Sequence, residues 1–341
     1  MPNKEYRNIK PWGNYKLISL SNNQGTTVEI SDLGATVVNF YVNDSNGIKT
    51  NIVLGYENPS DYIRGKSYLG CVVGPWANRI ARGKFLLDGH IIQLETNEGT
   101  NHLHGGKANI GAKCWEVIHT SSDSVKLSCS TLEGEAGYPC DIDFHVEYQL
   151  SNSNELSITY SALPYGRTPI NMTQHTYFNL DDSDTIEGHS IKIDSEHYLH
   201  VDANAIPNQI NSVQSTPFDL RRPTLIREKI DSDNQQLLAA GGFDHCWALD
   251  GNIISRAASV ASNKSGLRLD VYTDQIGIQF YSGNFLNGEK GRLGRTYKER
   301  AGLCLETQCY PNQVNMKYSE ACIFSDSNKY QHKVIYKVTA D

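Results

Sequence analysis

Ile142-Asp143-Phe144-His145-Val146-Glu147-Tyr148-Gln149-Leu150 alternates apolar and polar residues without a break, and Glu155 to Ser161 repeats the alternation after a polar Ser-Asn-Ser-Asn turn. An extended chain sends successive side chains to opposite faces, so a strict period of two commits both segments to strands with one dry face. Much of the remaining chain reads the same way. Tyr15 to Leu20, Thr26 to Ser31, Ala35 to Val42, Trp115 to Thr120 and Val125 to Ser130 are β-like, as are Arg268 to Thr273, Ile276 to Ser282, Leu303 to Thr307 and Lys333 to Val338. Lys84 to Leu94 is two short strands about Asp88-Gly89, the dipeptide a type I′ hairpin turn requires for its positive φ angles. Tyr198 to Lys229, with Pro207, Pro217 and Pro223, reads as loops with a short helix near Leu225. Helical periodicity is otherwise scarce. On length alone 341 residues match two average domains, but no repeat, charge run or linker divides them. The expected architecture is all-β, a single large antiparallel β-sandwich over residues 1–341.

Apolar residues make up 39% of the chain, enough to bury a sizeable core. A net charge of −7 without a basic run offers a polyanion no footprint, so nucleic acid is not an expected partner. No stretch of roughly 18 apolar residues is present, and Met1 to Leu20 is polar and interrupted by Pro11 and Gly13. Neither a membrane span nor a signal peptide is expected. Eight scattered cysteines without a CxxC pair favour reduced, mostly buried thiols over a disulfide framework or zinc site. Glycosylation triplets occur at Asn43, Asn171 and Asn263, but a glycan on Asn171 would bury the site proposed below. The cytosol is the expected compartment.

Chemistry gathers in a few stretches. Asn171-Met172-Thr173-Gln174-His175-Thr176-Tyr177-Phe178-Asn179-Leu180 places Asn171, Thr173, His175, Tyr177 and Asn179 on one face of an extended segment. His175 is there either a site residue or a hydrogen-bonded structural histidine. His102 and His104 stand at i, i+2 beside Gly105-Gly106, half of a metal site if His175, Asp244 or His245 completed it. Glycines there would equally let backbone approach a ligand closely. Glu306 lies in the apolar run Leu303-Cys304-Leu305-Glu306-Thr307-Gln308, so it either alternates outward or serves as a buried functional carboxylate. Taken singly, Asn78-Arg79-Ile80, Phe243-Asp244-His245 and Gln279 are weak signals, and Arg79 and Arg82 would pass for surface arginines.

Together these stretches resemble the galactose mutarotase (aldose 1-epimerase) family. The decapeptide is similar to its Asn-x-Thr-Asn-His-x-Tyr-Phe-Asn-Leu signature, with Gln174 where Asn is usual and on the face opposite His175. Asn101 to Gly106 resembles Asn-x-Leu-His-Gly-Gly, which selects His104 and leaves His102 variable, and Leu305 to Gln308 resembles Leu-Glu-Thr-Gln. The likeness runs in order from Asn78 to Asn315. It implies a mutarotase-like supersandwich acting on a free aldohexose such as galactose or glucose, with no cofactor or metal, as a monomer or homodimer. In that resemblance Glu306 is the general base and His175 the acid, and His104 holds the ring-oxygen side. Asn78, Arg79, Asp244 and Gln279 bind other hydroxyls. Tyr177 or Trp76 stacks on the sugar or merely packs. Ordinary side-chain values of about 6.5 and 4.3 would leave Glu306 ionised and His175 partly protonated at neutral pH. The rival readings are a glycoside hydrolase using Glu306 and Asp244, a non-catalytic sugar-binding protein, and a hexose-6-phosphate mutarotase.

Overall fold

The structure, a computed structural model, describes residues 8–340; the first seven residues of the polar N-terminal stretch and residue 341 lie outside it. Ile9–Trp12, Tyr15–Ser21, Thr27–Ser31, Thr36–Asn43 and Lys49–Asn51 form a five-stranded antiparallel meander. The alternating hairpin forms with Ile142–Leu150 against Glu155–Pro164, and it sits inside a nine-stranded sheet. That sheet runs Glu116–Thr120, Ser124–Thr131, Ile142–Leu150, Glu155–Pro164, Tyr330–Ala340, Leu267–Thr273, Ser255–Ala261, Ser190–Ile193, Thr224–Leu225. A six-stranded sheet runs Tyr177–Phe178, Leu303–Gln308, Gly277–Tyr281, Asp244–Ala248, His197–Val201, Pro207–Ser212.

The two larger sheets share one buried apolar cluster. Ile158, Val271 and Tyr336 from one meet Ile278, Phe280, Leu303 and Leu305 from the other. The Phe178 and Tyr336 rings touch edge-on at 5.1 Å, and the Thr307 hydroxyl lies 2.9 Å from His332 Nε2. This is the sandwich that period-two patterning predicts, and each fully buried Leu such as Leu305 contributes about 2 kcal/mol. Alternation along Leu303–Gln308 has a functional consequence. With Leu303, Leu305 and Thr307 committed to the sandwich, Cys304, Glu306 and Gln308 must face away from it, toward the loops.

The Asp88-Gly89 turn forms as expected, with φ of 50° and 80° between Lys84–Leu87 and His90–Gln93. One expectation fails in part. Tyr198 to Lys229 is not all loop, because His197–Val201 and Pro207–Ser212 pair and finish the six-stranded sheet. Pro207 opens the outermost strand, where a missing N–H costs no ladder bond. The short helix expected near Leu225 is one 3₁₀ turn, Ile226–Glu228, directly after the short strand Thr224–Leu225. No helix among the described residues is long and apolar enough to cross a membrane. All eight cysteines are free, and six of them are buried.

Candidate active site

The outward face of the six-stranded sheet makes the floor of a cleft. Strand register sets Tyr177, Cys304, Tyr281 and Asp244 in one row and Glu306, Gln279 and Cys246 in the next. Loops supply the walls, which include Tyr68, Asn78, Arg79, Glu98, His104 and Phe285, around a volume of about 180 Å³. Drug-sized ligands occupy roughly 300–1,000 Å³, so this cleft suits one small polar ring. A wider groove of about 910 Å³ along Ser215, Arg222 and Ser232 shares no lining residue with the cleft, and its Arg221 is already paired with Asp219 and Glu196.

Glu306 and His175 meet at the bottom. His175 Nε2 lies 3.8 Å from Glu306 Oε1, and the side chains are 6% and 3% exposed. Glu306 Oε2 has no hydrogen-bond partner among the described residues. Burial, with Asp244 adding negative charge, pushes the Glu306 carboxyl up to about 8, while Arg79 opposes the shift. Burial likewise depresses the His175 imidazole to about 4. The ordinary order is thereby reversed. Between these values the pair still holds one proton, but in the substrate-free cleft that proton sits on the carboxyl, contrary to the expectation of an ionised Glu306 beside a protonated His175.

His175 is held by its backbone, its N–H donating to Cys71 O and its carbonyl accepting from Gly70 N–H. The decapeptide around it is not one wet strand. Every residue from Asn171 to Leu180 is buried, in the short strands Thr173–Gln174 and Tyr177–Phe178 with a break between. Thr173 donates to Thr307 O, and the Asn171 amide donates to Ala77 O. Gln174 points away from the cleft, taking a bond from Tyr148 and giving one to Gly70 O. Gln174 thus has no direct side-chain contact with the His175 ring and bonds instead to Gly70, whose N–H holds the His175 carbonyl.

His104 and Asn78 form the roof as a mutual clasp. His104 N–H donates to Asn78 O and Asn78 N–H to His104 Nδ1, both at 3.2 Å, with both residues in left-handed backbone at φ of 51° and 64°. Because Nδ1 accepts, neutral His104 carries its proton on Nε2 and is a donor; burial, then the neighbouring His175 and Arg79, hold it well below the ordinary histidine value. Gly105 serves packing rather than ligand approach, since a Cβ there would come 2.4 Å from Gly74 O. His102 leaves the cleft, bonding Glu95 O and Tyr138 Oη, and His245 is packed against Phe218 with Nδ1 accepting from Asp244 N–H. The imagined His102–His104 metal site is therefore not assembled. His175, Cys304 and Glu306 do bring one donor atom each within 4.8 Å. The sulfur lies near Nδ1 and the nearest carboxylate oxygen near Nε2, so an ion on either nitrogen is well placed for only one of the other two.

Arg79 is fixed by a bidentate bond to Glu98, at 2.7 and 2.6 Å, and lies 3.9 Å from Asp244 Oδ2. Asn312 accepts from Ala81 N–H and donates its own N–H to Arg79 O, bracing that loop. Asp244 also takes the Gln279 amide at 2.7 Å, and burial raises its carboxyl against the pull of Arg79 and Gln279. Gln279 lies one layer behind the cleft wall, bonded to Asp244 and with its Oε1 left without a hydrogen-bond partner among the described residues. Tyr177 lines the cleft but is stacked on His175, and Trp76 is fully buried with its indole N–H on Arg79 O, so it cannot stack on a sugar. Sequence reading passed over Tyr68, Glu98, Tyr281, Phe285 and Cys304. Period two was a signal for Tyr281 and Cys304, each two residues from a selected one on the same strand face, whereas Tyr68 and Glu98 sit in loops with none.

Comparison with known proteins places this arrangement. The family described as aldose 1-epimerase matches residues 16–337. A galactose mutarotase of Bos taurus is 38% identical over 315 residues, covering 91% of this chain and 90% of its own. An aldose 1-epimerase of Escherichia coli (strain K12) is 35% identical over 307 residues, 88% of each chain. Among solved structures, an aldose epimerase homologue from C. elegans superposes with a TM-score of 0.90 at 28% identity, over 96% of this chain and 99% of that one. A galactose 1-epimerase from Lactobacillus acidophilus NCFM gives 0.85 at 28% identity, over 97% and 96%. The chain belongs to the aldose 1-epimerase family.

Proposed function

We infer that the cleft interconverts the α and β anomers of a free aldohexose, galactose and glucose being the candidates. The observation that carries this is a buried carboxyl and imidazole 3.8 Å apart, their ionisation shifted by burial, in a cleft walled by hydrogen-bonding side chains. Ring opening removes the proton from the C1 hydroxyl and delivers one to the ring oxygen; rotation about C1–C2 and closure on the other carbonyl face reverse both transfers. Glu306 takes the hydroxyl proton and His175 gives one, with His104 Nε2–H donating on the ring-oxygen side. After opening, Glu306 is protonated and His175 neutral. That is the state burial favours in the empty cleft, so the site is electrostatically matched to the open-chain aldehyde, and the cyclic sugar's hydroxyls must help hold the charged form. Asn78, Arg79 and Asp244 bind remaining hydroxyls.

A hydrolase would need Asp244 as a second free carboxylate, and Asp244 is occupied by Gln279 and Arg79. The cations on the cleft are Lys66 and a Glu98-bound Arg79, a poor match to a phosphate. We read the chain as one domain, working in the cytosol without cofactor as a monomer or homodimer. Polarimetry on fresh α-D-galactose and α-D-glucose tests the function. Acceleration of the optical-rotation change toward the anomeric equilibrium is expected, and a trace matching the protein-free control for both sugars would refute it.

A further inference from the structure

His175 must exchange protons through Nε2, the nitrogen facing Glu306, yet an imidazole exchanges cleanly at one nitrogen only if the other keeps its proton throughout. Nδ1 has one side-chain partner among the described residues, Cys304, whose Sγ lies 3.5 Å away. Cys304 is completely buried, and its place is fixed by backbone pairing with Tyr177 on one side and Tyr281 on the other. The remaining groups around the ring are Glu306 at Nε2 and the rings of Tyr68, Tyr177 and His104, at 5.8, 5.2 and 5.5 Å. None of these is placed to take a proton from Nδ1; a second acceptor for the ring is the backbone carbonyl of His175 itself, which is common to every variant at position 304, so those variants read the part played by the sulfur.

We propose that Cys304 is the positioning residue for His175: its sulfur accepts the Nδ1–H bond and fixes the tautomer that leaves Nε2 free to give and receive the substrate proton. A thiol differs from a carboxylate or carbonyl in this position. Sulfur is a weak, uncharged acceptor, so it orients the ring without strongly stabilising imidazolium, and the protonated ring stays ready to surrender its Nε2 proton. Burial keeps Cys304 a neutral thiol by pushing its ionisation well up, which preserves that role at working pH. The proposal rests on His175 being a proton carrier, and the tests separate the two ideas.

The full chain labelled with ¹⁵N-histidine gives the direct readout, the His175 signals being those absent from His175→Asn among the 11 histidines. At neutral pH, a protonated Nδ1 and an unprotonated Nε2 are expected. A proton on Nε2 with Nδ1 bare would overturn the proposal while leaving the acid–base pair standing. Kinetically, Cys304→Ala should lower kcat about 5- to 10-fold with KM nearly unchanged, the effect of losing one weak orienting bond. Cys304→Ser, whose hydroxyl also accepts, should recover most of the rate and move the acid limb of the pH profile upward. Equal losses in the Ser and Ala variants, or an acid limb unmoved in both, would also overturn it. Full mutarotation by His175→Asn would instead remove the reading on which it rests.

Discussion

Replacing Glu306 by Gln should flatten the fall of stability with pH between about 5 and 8 and at the same time leave the protein nearly inactive. The carboxyl titrates near 4.5 in an unfolded chain and at about 8 in the fold, principally because it is buried. Below the lower value both states are protonated and the group costs nothing. As pH rises the unfolded chain releases its proton and the folded one does not, so stability is drained progressively until the folded value is passed. At 1.36 kcal/mol per pH unit, this group removes about 3 kcal/mol of stability between pH 5 and pH 8. An amide of the same shape does not ionise. Its own packing cost is independent of pH and drops out of the comparison. Urea unfolding of both proteins across that interval should therefore show the wild-type losing stability more steeply than Glu306→Gln, by about 3 kcal/mol in total. Polarimetry on the same preparations should show kcat lowered by about 10²- to 10⁴-fold, the usual contribution of a general acid or base. Parallel stability curves would refute the electrostatics argued for Glu306, and near-wild-type mutarotation would refute its role.

The enzymatic rate should be bell-shaped in pH because only the singly protonated pair works. Its acid limb, near 4, belongs chiefly to His175 gaining a proton and its alkaline limb, near 8, to Glu306 losing one, although coupled groups yield values shared by the pair. In His175→Asn the residual rate needs only ionised Glu306, so it should rise with pH to a plateau above about 8 with no alkaline limb, and a residual rate that falls through that range would reverse the assignment. Arg79→Ala and Asp244→Ala should chiefly raise KM, each by the roughly 1.5–3 kcal/mol of a charge-assisted hydrogen bond; an unchanged KM with a collapsed kcat would contradict a binding role. Exhaustive chelation should leave activity intact, and metal analysis showing stoichiometric zinc whose removal abolishes turnover would refute this.

Alternation made the scaffold legible, since a buried strand such as Ile142–Leu150 states its own face pattern. It failed where both faces are covered. Asn171 to Leu180 looks half polar, but its polar side chains are spent on internal bonds such as Thr173 to Thr307 O, and no single-strand rule reveals that. Resemblance selected His104, His175, Glu306, Arg79 and Asp244, which the structure brings to one cleft. Proton placement was not legible. Ordinary side-chain values describe groups in water, and the reversal at Glu306 and His175 comes from burial contributed by several distant segments. Gln279 was selected by resemblance as a hydroxyl-binding residue, whereas the structure sets it behind Asp244, a depth that depends on strand pairing that a motif does not encode.

The clasp between Asn78 and His104 bears on how such a cleft can be altered. Each residue holds an unfavourable left-handed backbone and each supplies the other's hydrogen bond, so neither loop keeps its shape when the partner loop is exchanged alone. Substitutions on the two loops should therefore be strongly non-additive, while the sheet beneath tolerates the exchange. Anyone transplanting sugar specificity between relatives would have to move both loops as one cassette, and a library that randomises them separately would sample mostly collapsed roofs.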